Sequence, residues 1–497
     1  MLKMATLTLF LLLIVAACAQ PTAVPSQPSG TSSHDALLRR VKATLLLFPP
    51  DERATLLIHL VNARPESQSV EAGEWTREVF HLTHDLRSIE RMDVEASALI
   101  AYSRLDSASA LELLRRMEIS SSPGNGYDFR EKAASQVFTR FLDGHPDEFA
   151  SVRDAMRKMG DTGIFPFRAA AVIAHRVARH DHQHATEIVR DAAHYYEHAP
   201  RTHFLDMEFA SFLVGSAKYA PAAISKEDLR LLITNAMNMP GEDHAAWGSA
   251  FADPEKPSTG KSAAEAFLSG LLPVVHSVDP ELEARLKEQH PALASMRLRK
   301  GRKTHAAQTE FSSAAAGIEY PPIDRSAPLE ALNEIHSLAA EDTEKAMKIR
   351  AGIQDASWRA AAGADIAVMM NSIDPERANR LLEDAERQAK RTSDPQNKLR
   401  ITAALGRAYM KLHRREAFAA VISRMFRLAD ETFSRFSHDA PKCAWASLPG
   451  ARELVPLTRE AAAFAPQIML EQIDNMQTPL LQTHLLISML EGMQPAR

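Results

Sequence analysis

The chain has 497 residues, with 58 lysines and arginines against 63 aspartates and glutamates, a formal charge of -5 and two cysteines. That balance gives no global drive towards nucleic acid. About 480 residues beyond the leader exceed what one hydrophobic core organises, so several domains or a repeat array are expected.

The first element is a secretory leader. Lys3 precedes an apolar run from Leu7 to Val15, and small residues lead into Cys18. The run is too short to span a bilayer, which takes about 20 apolar residues. Val15-Ala16-Ala17-Cys18 resembles the lipobox of bacterial lipoproteins. The resemblance implies that residues 1–18 are a lipoprotein signal peptide, that Cys18 is acylated and becomes the mature N-terminus, and that the body is lipid-anchored in the bacterial cell envelope, facing the periplasm. Ala19, rather than Asp, after the cysteine points to the outer membrane in bacteria that have one. Ordinary cleavage after Ala17 or Ala19, with Cys18 incidental, is the other reading. Residues 19–34 are polar and proline-rich and read as a disordered tether. With Cys18 acylated, Cys443 stands alone and no internal disulfide exists, so packing must supply the stability.

Beyond the tether, apolar residues recur every three or four positions, which predicts helix almost throughout. Ala378, Leu381, Leu382 and Ala385 follow Asp374-Pro375, where Asp can cap the free N–H groups and Pro fits the first turn. The same start recurs at Asp253-Pro254, Asp279-Pro280 and Asp394-Pro395, and Ser225-Lys226-Glu227-Asp228 makes another.

Several helices are alike. Phe129-Arg130 followed by small residues returns at Phe167-Arg168 about 38 residues later, and Trp358-Arg359 returns at Leu399-Arg400 about 41 later, periods that mark paired-helix repeats. Segments ending Met117-Glu118-Ile119, Ile353-Gln354-Asp355 and Ile473-Asp474-Asn475 echo a second helix type. The expected fold is therefore all-α, an α-solenoid of stacked helix pairs in two lobes, residues 35–300 and 329–497, joined by a linker over 301–328. A generic helical bundle is the alternative. Leu405-Gly406-Arg407-Ala408-Tyr409 with Ala417 resembles the first helix and turn of a tetratricopeptide repeat, in which the glycine allows close helix packing and the tyrosine fills the groove between the pair. Its spacing is one residue short and Thr402 stands where an aromatic is common, so the body is tetratricopeptide-like or HEAT-like rather than assigned to either family. Arg297, Arg299, Lys300, Arg302 and Lys303 cluster around Gly301 ahead of the proline-bearing linker; a solvated linker and an anionic-surface contact are the two readings.

Chemical motifs are few. Pro257-Ser258-Thr259-Gly260-Lys261-Ser262 imitates a P-loop end, but Glu255 occupies the first glycine's place and no strand leads in. His175, His180, His182, His184, His194, His198 and His203 form a cluster in which His180 with His184, or His194 with His198, has i,i+4 spacing. Two imidazoles can begin a zinc or copper site, but three or four ligands are needed. His81-Leu82-Thr83-His84 lacks the metalloprotease pattern. Cys443 with His438 carries no local nucleophile signature, and Glu71, Glu74, Trp75 and Glu78 are the nearest approach to a carbohydrate site, which needs two separated carboxylates in a cleft.

No catalytic residue, cofactor or metal ligand is therefore assigned. The expectation is a noncatalytic, membrane-anchored envelope lipoprotein acting as a helical-repeat scaffold for a protein or peptide partner, without nucleic acid. The alternatives are an exported α/α-toroid enzyme acting on carbohydrate and a histidine-rich metal-binding envelope protein.

Overall fold

A computed structural model describes residues 31–64, 68–86, 88–117, 129–238, 263–290, 327–338, 342–436 and 451–493. The leader with Cys18, the tether up to residue 30, Asp253-Pro254, the P-loop imitation at 257–262, the basic run at 297–303, the linker up to residue 326, and His438 with Cys443 lie outside them.

Among the described residues the chain is built of α-helices and has no strand. The first group comprises α1 (Thr31–Leu45), α2 (Pro50–Asn62), α3 (Ser69–Leu82), α4 (Ser88–Ser103), α5 (Ser107–Arg116), α6 (Phe129–Gly144), α7 (Phe149–Thr162), α8 (Phe167–Val177), α9 (His182–His198), α10 (His203–Ser216), α11 (Lys226–Met237), α12 (Ala263–Val278) and α13 (Pro280–Gln289). The second comprises α14 (Ala327–Ser337), α15 (Thr343–Gly352), α16 (Ala356–Met370), α17 (Pro375–Arg391), α18 (Pro395–Lys411), α19 (Arg415–Phe436), α20 (Ala451–Ala461), α21 (Pro466–Asp474) and α22 (Pro479–Gly492).

Local chemistry sets the starts. Asp374, Asp394 and Asp279 accept hydrogen bonds from the N–H groups of Arg377, Asn397 and Leu282, each with Pro in the first turn, and Ser225 caps α11 through Glu227 and Asp228. Asp106, Asp181, Thr202 and Asp355 cap α5, α9, α10 and α16 in the same way. Each cap contributes about 1 kcal/mol by satisfying donors that the helix cannot.

From α2 to α12, and again from α14 to α22, each even-numbered helix packs on the next even-numbered one, and each from α2 to α20 also packs on the odd-numbered helix that follows it. This is the solenoid expected from the repeats, and it makes two layers. Even-layer helices have neighbours on most sides, so α22 buries Leu481 and every residue from Thr483 to Leu490, and α16 buries Ala360 to Ala364. The odd-layer α17 buries only the stripe Ala378, Leu381, Leu382 and Ala385 and leaves its charged face to water. Polar ties repeat with the helices: Lys132 reaches Asp93, Arg153 reaches Asp191 and Arg168 reaches Glu208 at separations of 39, 38 and 40 residues.

The helix paired with α22 comes from the other end of the chain. α22 packs on both α1 and α2, burying His484 against His59, and Arg40 pairs with Asp474 across the same seam. In space the stack therefore runs from α14 to α22 and continues through α1 and α2 to α13. The C-terminal helices precede the N-terminal ones.

Candidate functional site

A groove of about 320 Å³ opens between α17, α18 and α19, a volume at the lower end of the range for ligand pockets. Helical spacing aims its lining: Glu386, Ala389 and Lys390 share one face of α17, Lys398, Thr402 and Leu405 one face of α18, and Val421, Arg424, Leu428 and Glu431 one face of α19, with Arg427 beside them. Leu405, Val421, Leu428 and Ala389 give it an apolar floor.

Its rim is basic. Lys390, Lys398, Arg424 and Arg427 face only two carboxylates, Glu386 and Glu431. Glu386 already accepts a hydrogen bond from the Tyr409 hydroxyl at 2.7 Å. Burial and that carboxylate both push the Tyr409 phenol up, so it stays a donor. Arg424 donates its Nε–H to the Ala420 carbonyl of its own helix at 3.2 Å. Among the described residues none of the four cations is held in an ion pair, whereas Arg153, Arg168, Arg201 and Arg230 are each paired with Asp191, Glu208, Asp228 and Asp279. The groove can therefore take a ligand that brings carboxylates and a short apolar stretch.

The unit that forms it contains Gly406 and Tyr409. A Cβ on Gly406 would lie 3.1 Å from Leu457 of α20 and 3.3 Å from Ile422 of α19, so the glycine does mark a close helix approach. Between α18 and α19, His413 adopts φ 54, and the Arg414 N–H closes the turn on the Tyr409 carbonyl at 2.9 Å.

The repeated arginines hold the fold. Arg130 is buried and donates to Thr162 and the Met159 carbonyl, Arg168 pairs with Glu208, Arg359 donates to the Ile353 carbonyl, and Arg400 bonds Ser357 and Asn397 while lying 4.1 Å from the Trp358 ring centre. Glu71 pairs with Lys42 and Arg64, and Glu78 with Arg53. Burial opposes the Glu71 charge, but Lys42 and Arg64 outweigh it and hold its carboxyl below the usual range. Trp75 is buried beneath Arg64, at 4.9 Å, and Lys42, at 5.5 Å.

The histidines divide. His180 lies in the turn before Asp181, which caps α9, so His180 and His184 share no helix face. His184 stacks on Phe149 at 4.1 Å, His175 bonds the Tyr219 hydroxyl at 2.9 Å, and His182 meets the edge of the same ring. His203 begins α10, on the far side of the Thr202 cap. His194 and His198 do share a face of α9, together with Glu197. Sequence reading passed over that glutamate and the groove cations. Glu197 was legible in the run His194-Tyr195-Tyr196-Glu197-His198, whereas Lys390, Lys398, Arg424 and Arg427 become neighbours only when three helices pack.

Compared with protein-family models, curated proteins and solved structures, the chain matches none.

Proposed function

We propose that the protein is a noncatalytic envelope lipoprotein, held to the membrane through acylated Cys18, whose helical-repeat body docks a protein or peptide partner. The observation that carries the reading is the groove of α17, α18 and α19, with four cations that no ion pair among the described residues holds, above an apolar floor. Charge complementarity then selects a segment rich in Asp or Glu and slows the approach of basic ones. The groove falls in the tetratricopeptide-like unit. Stacked pairs favour such a role because each adds a few exposed side chains to one extended surface. The lipobox supports the anchor, and the tether sets the body off from the bilayer by a stretch of extended chain.

A photoreactive residue placed at Lys390 in the full-length protein, irradiated in intact envelopes, should trap a defined polypeptide. The reversals Lys398→Glu and Arg427→Glu should abolish that product. No crosslinked product, together with robust turnover in a glycoside-hydrolase screen, would replace the scaffold with an enzyme.

A further inference from the structure

We propose that the last turn of α9 is an open divalent-metal site, in which His194, Glu197 and His198 supply three ligands to a zinc-class ion and leave its remaining positions to water or to a partner's side chain.

The three residues stand at i, i+3 and i+4, so they project from one face of the helix, and one ligand atom from each lies within 4.8 Å of the others. Imidazole with carboxylate is a donor set suited to zinc, copper or nickel. All three side chains are exposed, so an ion reaches them without any rearrangement of the core.

The tautomer of one ligand is already fixed. His198 donates its Nδ1–H to the His194 carbonyl at 2.8 Å, because a carbonyl can only accept. Its Nε2 lone pair is therefore the free one. A ring whose second nitrogen is held by a backbone carbonyl is the arrangement that orients metal-bound histidines. The His194 and His198 ring centres lie 4.3 Å apart, near enough for a modest rotamer change to bring both nitrogens onto one ion.

The helix beneath is held rigidly. Between the ligands, Tyr195 donates to the Gly163 carbonyl at 2.6 Å and Tyr196, buried, donates to Asp206 at 2.5 Å. These anchors turn the opposite face, bearing the three donors, outwards, and a site on a fixed element keeps its geometry. α9 ends at His198, so unpaired carbonyls at its C-terminus add partial negative charge where a cation would sit. Nearby positive charge is partly diverted: Arg201 lies over the Tyr196 ring at 3.8 Å and pairs with Asp228, leaving exposed Arg190, one turn earlier, as the opposing group.

Calorimetric titration of the untagged full-length protein with Zn²⁺ alone should give close to one equivalent bound. The double change His194→Ala, His198→Ala should remove it, Glu197→Gln should weaken it about tenfold, and His180→Ala with His184→Ala should leave it unchanged. Since the ligands are exposed, the variants should melt with the unmodified protein. Co²⁺ added to the unmodified chain should give the absorption bands of nitrogen ligation. Failure to bind Zn²⁺, binding that survives the His194/His198 change, or binding lost through His180 and His184 overturns the site.

Discussion

His59 and His484, 425 residues apart in sequence, meet in the buried seam with their Nδ1 atoms 3.0 Å apart and their rings stacked. One nitrogen must donate and the other accept, so the contact cannot survive protonation of both rings, and burial favours two neutral rings in complementary tautomers. Burial, reinforced by Arg459, lowers the pKa of His59 to about 3; burial, reinforced by His59, holds that of His484 well below its ordinary value of 6.5.

That pair makes the seam acid-labile. In the unfolded chain both histidines take up protons below about pH 6.5, whereas in the folded chain they resist, so the unfolded state binds more protons throughout that window. Their stabilising effect is complete above the unfolded pKa and is lost as pH falls from 6.5 towards 3, with a limiting slope of about 1.4 kcal/mol per pH unit for each ring. Amide protection in α22, taken relative to the intrinsic exchange rate at each pH, should fall between pH 7.5 and 5, ahead of that in α8. Replacing both rings by leucine should flatten that dependence; an unchanged slope would show that other groups govern it.

Glycines test how tightly α22 packs on α20, its other neighbour in the stack. A Cβ on Gly492 would lie 2.0 Å from the Arg459 carbonyl oxygen and 2.7 Å from the Ala462 Cβ, and backbone cannot yield as a side-chain tip does. Gly492→Ala should therefore cost about 1–3 kcal/mol through overpacking and lower the melting temperature. Gly215, inside α10, has open space where its Cβ would stand. Gly215→Ala should stabilise by about 0.5–1 kcal/mol. Equal melting shifts for the two changes would refute the close approach of α22 to α20.

The groove should discriminate by charge. A labelled polyglutamate peptide should bind the full-length protein and a polylysine peptide should not, as read by fluorescence anisotropy. Reversing Lys398 and Arg427 to Glu should weaken binding at least about tenfold, some 1.4 kcal/mol. Added salt should weaken it too, because Lys390, Arg424 and Arg427 are exposed and Lys398 is only half-buried. Binding that ignores both salt and reversal would place the contact elsewhere.

For the anchor, the expected signature lies in the intact mass of the mature protein: two or three acyl chains on Cys18. An unmodified N-terminus at Cys18 or Gln20 would remove the membrane attachment and leave the helical stack untouched.

The parts of the fold legible in sequence are those set by neighbours along the chain. Asp279, Asp374, Asp394 and Ser225 cap where their spacing predicts, because a cap needs only the next three residues. The Phe-Arg and Trp-Arg echoes were readable as repeats because an aromatic or leucine followed by an arginine recurs near helix starts, but the groups those arginines bond differ from one to the next and were not. The i,i+4 spacing of His180 and His184 does not become a shared helix face, because the Asp181 cap sets the helix boundary past His180. The seam left no local mark: His484 sits in an apolar run that would suit any buried helix, and nothing near it names α1 and α2 as its neighbours. The groove was illegible for the same reason, its charge excess being a sum over three helices.

Because α22 meets α1 and α2, the two groups of helices have a packed contact besides their covalent connection. α22 rests on α1 and α2, with His59 and His484 in the contact and Arg40 paired to Asp474 beside it. A specific protease site inserted within residues 301–328 should therefore give, after cleavage, two fragments that still elute together at neutral pH. The acid-labile pair predicts that they separate more readily at pH 5. A permuted chain that joins residue 493 to residue 31 through a short linker and opens at 301–328 should fold with the same far-ultraviolet helicity and resist acid better, since its seam is then covalent. Fragments that part at once at neutral pH would mean that the linker, and not the meeting of the termini, carries the association.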